Sequence, residues 1–290
     1  MIDFASVSFA YPRQPPIFDS FSWSVAAGET WAVLGPSGCG KTTLLYLLAG
    51  LRTPTSGQVR VHGQALTRPH PQTGLILQDY GLLPWATVRQ NAALGLAIRG
   101  FYGPDGKHAP NLQPSNPSKS PGQALQPSTF DSRLSPLMHR LGLADLTDQY
   151  PSQLSGGQRQ RTAIARTLAL SPTLLLMDEP FASLDAPTRE SLQNLIYDLC
   201  REQNLTLVVV THAIEEAALL GQNILLLGNP PHRAPQIIPN PAAGDPAYRD
   251  TPAYRQTCHT LRQALMPLRT GDPAMLAKAS SGSHPFPNDS

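Results

Sequence analysis

Short apolar runs recur along this chain, and between them lie stretches with helical spacing. TWAVLG (30–35) is a five-residue apolar-rich run closed by glycine, which predicts a buried strand. KTTLLYLLAG (41–50) then carries leucines at helical spacing and ends in Gly50, a helix stop signal. GLILQ (74–78) predicts a further strand, and residues 135–147 and 157–170 predict helices. TLLLMD (173–178) is apolar without alternation, as expected of a strand covered on both faces. Pro187, just after Asp185, suits a helix start, and that helix should run to about Gln203. LTLVVVT (205–211) and NILLLG (223–228) complete the set of buried strands. Apolar strands alternating with helices predict an α/β fold around a mainly parallel sheet.

Proline changes this picture in two places. Residues 103–130 mix proline with Gly, Ser, Asn and Gln and show no apolar periodicity, which predicts a disordered insertion. The end of the chain, from about residue 270, has the same character. Of the 290 residues, 41% are hydrophobic, enough for a sizeable core. The formal net charge of +2 gives no electrostatic footprint for nucleic acid. No run of apolar residues is long enough to span a bilayer, and MIDFASVSFAY lacks the basic start of a signal peptide. Cys39, Cys200 and Cys258 are scattered, which reads as reduced thiols in a cytosolic protein.

GPSGCGKTT (35–43) fits the pattern G-x-x-x-x-G-K-[ST], between a predicted strand and a predicted helix. Gly35, Gly38 and Gly40 let backbone N–H groups turn inward around phosphates, with Pro36, Ser37 and Cys39 as the rest of the loop. The start of the following helix adds partial positive charge. Lys41 suits the β- and γ-phosphates, Thr42 suits Mg²⁺, and Thr43 closes the site. LLLMDEP (174–180) places Asp178 at the end of a strand, where ligands of open α/β sheets bind. Asp178 is a Mg²⁺ candidate, and Glu179 is placed to polarise an attacking water. The two acids could merely cap the next segment, but the phosphate loop upstream favours the Mg²⁺ and water roles. LSGGQRQR (154–161) adds a second glycine-rich helix start, with Ser155, Gly156, Gly157 and Gln158 presenting further bare N–H groups.

With these three motifs in this order, the chain resembles the ATP-binding cassette (ABC) ATPases over about residues 2–228. Tyr11 in VSFAY resembles the aromatic that stacks on adenine, although Phe9 competes for that role. Gln78 in LILQDYG resembles the glutamine that serves Mg²⁺ and the water. Ser183, Leu184 and Asp185 match the family's D-loop, and His212 in VVVTHAIEEA matches its switch histidine. The resemblance implies a P-loop NTPase domain over 1–228, with a mainly parallel core, an antiparallel β edge and a helical subdomain at about 82–171. Residues 229–290 would be a C-terminal extension with a disordered end. The resemblance also implies ATP hydrolysis with Mg²⁺, with Glu179 as catalytic base and Gln78 and His212 assisting. Two cassettes would pack head to tail, each Ser155–Gln158 segment completing the partner's ATP site, with Asp185 of the D-loop as a further nucleotide-binding residue.

QDYGLLPWATVRQNAALGL (78–96), DEPFASLDAPTRE and DPAYRDTPAYRQ (245–256) are similar to importer cassettes of the nitrate, sulfonate, taurine and thiamine-precursor group. That similarity implies a second cassette, transmembrane permease subunits and, indirectly, a solute-binding protein as partners, and no nucleic acid. It implies a peripheral position on the cytoplasmic face of the inner membrane. Ala213 departs from the group, where Asp is usual. An exporter cassette, or a soluble member acting on ribosomes or DNA, is the competing reading. The solute is not legible, because the binding protein and permease choose it.

Overall fold

The computed structural model describes residues 1–102 and 127–270. The expected disordered insertion at 103–130 lies outside the described residues up to 126, as does the expected disordered end at 271–290. The described chain forms two sheets. The first is antiparallel, ordered β2-β1-β4-β5, from β1 (Ile2–Phe9), β2 (Phe18–Val25), β4 (Ser56–Val61) and β5 (Gln64–Ala65). The second has the order β10-β9-β3-β8-β7-β6. It contains β3 (Thr30–Leu34), β6 (Thr73–Ile76), β7 (Leu174–Asp178), β8 (Thr206–Thr211), β9 (Asn223–Leu226) and β10 (Gln236–Pro239). All its pairings are parallel except β10 on β9.

Alternation along the central strands separates two cores. Ala32 and Leu34 of β3, Leu175 and Met177 of β7, and Leu207 and Val209 of β8 face one cluster. There they meet α4 (Gly156–Leu168), α5 (Ala186–Gln203), α6 (Ile214–Leu220) and α7 (Pro252–Thr270). The intervening residues Val33, Leu174, Leu176, Val208 and Val210 face the other cluster, with α1 (Lys41–Leu48) and the antiparallel sheet. Strands covered on both faces cannot alternate apolar with polar, which is why they read as continuous runs. Phe4, Phe18 and Phe21 are fully buried in the second cluster and lock the antiparallel sheet to the core. Phe21→Ala should therefore lower stability by about 3–5 kcal/mol. A urea unfolding midpoint tests this, and a change under about 1 kcal/mol would show that the site collapses around the deletion.

The α2 (Val88–Tyr102), α3 (Pro127–Arg140) and α4 helices gather beside the parallel sheet. The helix expected over 135–147 begins earlier and stops at Arg140, followed by a single 3-10 turn at Ala144–Leu146. Gly142, at φ 64°, takes the left-handed conformation that ends a helix, and the expectation ran through it. Asn91 is fully buried in α2 and braces the turn before it. Its amide donates to the carbonyls of Leu83, Ala86 and Thr87 at 3.1, 2.9 and 3.1 Å. Its Oδ1 accepts from the Leu83 N–H at 2.8 Å. The turn so fixed holds Trp85 out, 72% exposed. No helix among the described residues is long and apolar enough to cross a membrane.

Candidate functional site

The parallel strands β3, β7 and β8 end on the same side of the sheet, and their C-terminal ends carry the expected chemistry. β3 runs into the loop 35–40, which turns into α1 at Gly40, φ 104°. A side chain at Gly40 would meet Ile17 Cγ2 at 2.4 Å, so close packing as well as conformation requires glycine there. Gly35 is excluded from substitution by the Leu227 carbonyl, 2.3 Å from where a Cβ would sit. Lys41 is buried, and its Nζ donates to the carbonyls of Gly35 and Pro36 at 2.9 and 2.8 Å. The loop thus closes on its own lysine. Thr43 Oγ1 lies 3.4 Å from the Tyr11 hydroxyl. The Tyr11 ring is half-buried, packs edge-on to Phe9 and carries the Arg52 guanidinium 5.8 Å from its centroid. Phe9 itself is buried in the core, which leaves Tyr11 as the accessible aromatic of the pair.

At the end of β7, the Asp178 Oδ1 accepts from the Thr42 hydroxyl at 3.4 Å. Burial raises the Asp178 pKa, only partly offset by the Thr42 hydrogen bond and by the charge on Lys41. A desolvated carboxylate paired with a hydroxyl at a helix start is a fitting donor set for Mg²⁺, which takes one or two protein oxygens and completes its shell with phosphate and water. Glu179 follows, at φ 44°, with its N–H bonded to the Val210 carbonyl at 2.9 Å. A non-glycine residue in that conformation is strained, and here the adjacent strand β8 holds it. His212, just past β8, places Nδ1 3.0 Å from Glu179 Oε2. Glu179 and His212 line an open cleft of about 550 Å³ together with loop residues 36–39.

Other expected residues lie apart from this cleft. Gln78 follows β6 and is exposed. Ser155 caps α4, its Oγ accepting from the Gln158 N–H at 3.3 Å while Gln158 Oε1 accepts from the Ser155 N–H at 2.8 Å. Gly157 packs against Thr188, where a Cβ would come within 2.5 Å of Cγ2. Gly156 faces Leu184 and the Ser183 carbonyl. Asp185 caps α5 through the Thr188 N–H at 3.0 Å, and that bond lowers its pKa. The Ser155–Gln158 segment and Asp185 therefore form one surface, separate from the loop at 35–40. Arg166, further along α4, donates to the carbonyls of Tyr80 and Gly81, both at 2.6 Å. It ties the α4 helix to the segment after Gln78.

Sequence reasoning missed several neighbours. Asn229, Pro230 and Leu268 help wall the cleft. Glu216 is buried behind His212, accepts from the Thr211 hydroxyl at 2.6 Å, and has its pKa raised by burial. Asn229, Pro230 and Leu268 belong to no motif, and Glu216 lies in VVVTHAIEEA without having been singled out there. Only the apolar spacing of 252–268 hinted that the extension packs at all.

Comparisons with known proteins agree with this geometry. The family model described as ABC transporter matches residues 18–182. The taurine import ATP-binding protein TauB of Pseudomonas aeruginosa (strain UCBPP-PA14) is 39% identical over 223 residues, covering 77% of this chain and 76% of that protein. The nitrate import ATP-binding protein NrtC of Synechococcus elongatus is 40% identical over 210 residues, covering 72% of this chain but 28% of that longer protein. Among solved structures, the dimeric post-hydrolysis state of the cassette MJ0796 bound to ADP and Pi superposes with a TM-score of 0.66 at 26% identity, covering 82% of this chain and 98% of that one. The chain belongs to the ABC transporter family, as one of its ATP-hydrolysing cassettes.

Proposed function

We propose that this cassette energises import of a small solute, by clamping Mg-ATP between two copies and hydrolysing it. The observation that carries the reading is the convergence of the phosphate loop, the Thr42–Asp178 pair and the Glu179–His212 pair at the ends of three adjacent strands. The relatives include the import ATP-binding proteins TauB and NrtC, which supports an importer over an exporter or a ribosome- or DNA-bound ATPase.

In this reading Lys41 exchanges the Gly35 and Pro36 carbonyls for phosphate oxygens, and the N–H groups of 37–43 receive the rest. Tyr11 supplies a flat face for the adenine. Thr42 and Asp178, with Gln78, would hold Mg²⁺, which would neutralise phosphate charge. Glu179 takes a proton from the attacking water, and His212, already on its carboxylate, orients it and senses the γ-phosphate. Ser155, Gly156, Gly157, Gln158 and Asp185 belong to the partner's site, consistent with their separation from the cleft of their own chain. Removing the γ-phosphate then removes the bridge between copies.

The exposed Trp85, on the turn braced by Asn91, offers an apolar surface to permease subunits beside the Gln78 segment. The cassette would sit peripherally on the cytoplasmic face of the membrane, with a solute-binding protein as its indirect partner. Affinity capture of the tagged chain from gently solubilised native membranes should recover a polytopic permease. Trp85→Asp should abolish that recovery while leaving ATP binding intact. Capture of ribosomes or DNA without a membrane protein would overturn the importer reading.

A further inference from the structure

The phosphate loop leans on a residue that no nucleotide motif contains. His232 lies in the segment after β9, outside the stretch that matches the family model. Its backbone joins β2, accepting from the Asp19 N–H at 2.9 Å and donating to the Ile17 carbonyl at 2.8 Å. Its ring packs on Phe18, with centroids 5.5 Å apart. From that seat Nε2 reaches the Cys39 carbonyl at 2.7 Å. A carbonyl only accepts, so the imidazole carries its proton on Nε2. His232 is 8% exposed, so water cannot readily replace this bond. Burial also lowers its pKa. The anchored carbonyl lies between Gly38 and Gly40, at φ 80° and 104°, the two positions where the loop has most conformational freedom.

We infer that His232 is a positioning residue for nucleotide binding, fixing the Cys39 carbonyl so that the peptide N–H groups of the loop stay turned toward the phosphates. The inference rests on the ATP-clamp reading above. His232 touches no nucleotide. Without its donor the loop samples orientations in which its amides point elsewhere, and the nucleotide must restore order on binding. The effect therefore belongs in affinity and not in the chemical step.

The test compares MgATP binding and steady-state hydrolysis for the wild-type chain, His232→Phe and His232→Gln. Phenylalanine keeps a ring against Phe18 and removes the donor. Glutamine restores a donor. His232→Phe should raise the Kd and KM for MgATP about tenfold with kcat little changed, as expected for one buried carbonyl left without its partner. His232→Gln should return both to within about threefold of wild type. Thermal unfolding without nucleotide identifies variants that fold. A folded His232→Phe with wild-type affinity overturns the inference, as does a loss of affinity that glutamine fails to rescue. Failure of the wild-type chain to bind MgATP would instead overturn the nucleotide reading. Nitrogen-15 spectra of the wild-type imidazole decide the matter even if the phenylalanine variant does not fold. The Nε2–H tautomer, with a resonance that shifts on MgATP binding, is required. The Nδ1–H tautomer, or a resonance indifferent to MgATP, overturns it.

Discussion

Glu179→Gln should bind MgATP, accumulate as an ATP-bound dimer and hydrolyse about 10²–10⁴-fold more slowly than wild type. The change removes the ability to take a proton and keeps the shape of the side chain. The strained backbone at residue 179 is held by the Val210 carbonyl and not by the carboxylate, so the local fold survives. The amide can still face His212 Nδ1 through its oxygen, so the pair stays assembled. Binding determinants at Lys41, Thr42 and the loop glycines are untouched. Size-exclusion chromatography with MgATP, paired with phosphate release, separates the two effects. Turnover near the wild-type rate would remove Glu179 from the role of base.

Ser155→Arg should cut hydrolysis by roughly 10²–10³-fold or more while a single chain binds MgATP normally. In the isolated chain Ser155 is exposed, and its hydrogen bonds among the described residues are to its own helix start. Its Oγ accepts from Gln158, so the hydroxyl proton remains available to a phosphate brought by a second copy. Arginine removes the cap, at a cost of about 1 kcal/mol, and sets a long side chain where two surfaces must meet. Mixing this variant with Glu179→Gln supplies a sharper check. In a mixed dimer one composite site carries both lesions and the other carries neither, so mixing should restore part of the lost turnover. If Ser155→Arg lost nucleotide binding as a single chain, the assignment of Ser155 to a partner's site would fail.

The parallel core was legible because its strands have no solvent face. LLLMD and TLVVVT can be little else than strands buried on both sides. The phosphate loop was legible because φ values of 80° and 104° at Gly38 and Gly40 leave glycine as the residue of choice. The ends of the helices were less so. α3 begins in PSTFDSR, a polar stretch without the apolar spacing that marks a helix in sequence. The meeting of Glu179 with His212 could be expected only through a family resemblance, since they follow different strands. His232 could not be expected at all, and for Leu268 the helical spacing of 252–268 hinted only at packing and not at where. Their place beside the loop depends on how the extension folds back over α5 and α6, anchored by Arg249 on Gln193 at 2.8 Å and Arg262 on Glu215 at 2.5 Å. No local pattern encodes such contacts.

The position of β3 has a consequence for how the molecule is made. β3 carries the phosphate loop, yet both its neighbours in the sheet, β8 and β9, come from beyond residue 205. A ribosome delivers the loop early and its supporting strands late. Until they emerge, Trp31, Val33 and Leu34 lack their sheet partners, and the nascent chain presents an unpaired apolar strand of the kind that aggregates or recruits chaperones. A product truncated between residues 159 and 205 would contain every residue of GPSGCGKTT and LSGGQ and still lack both sheet partners of the strand that carries the phosphate loop. Translation quality control thus bears on this cassette more heavily than the early position of its phosphate loop would suggest.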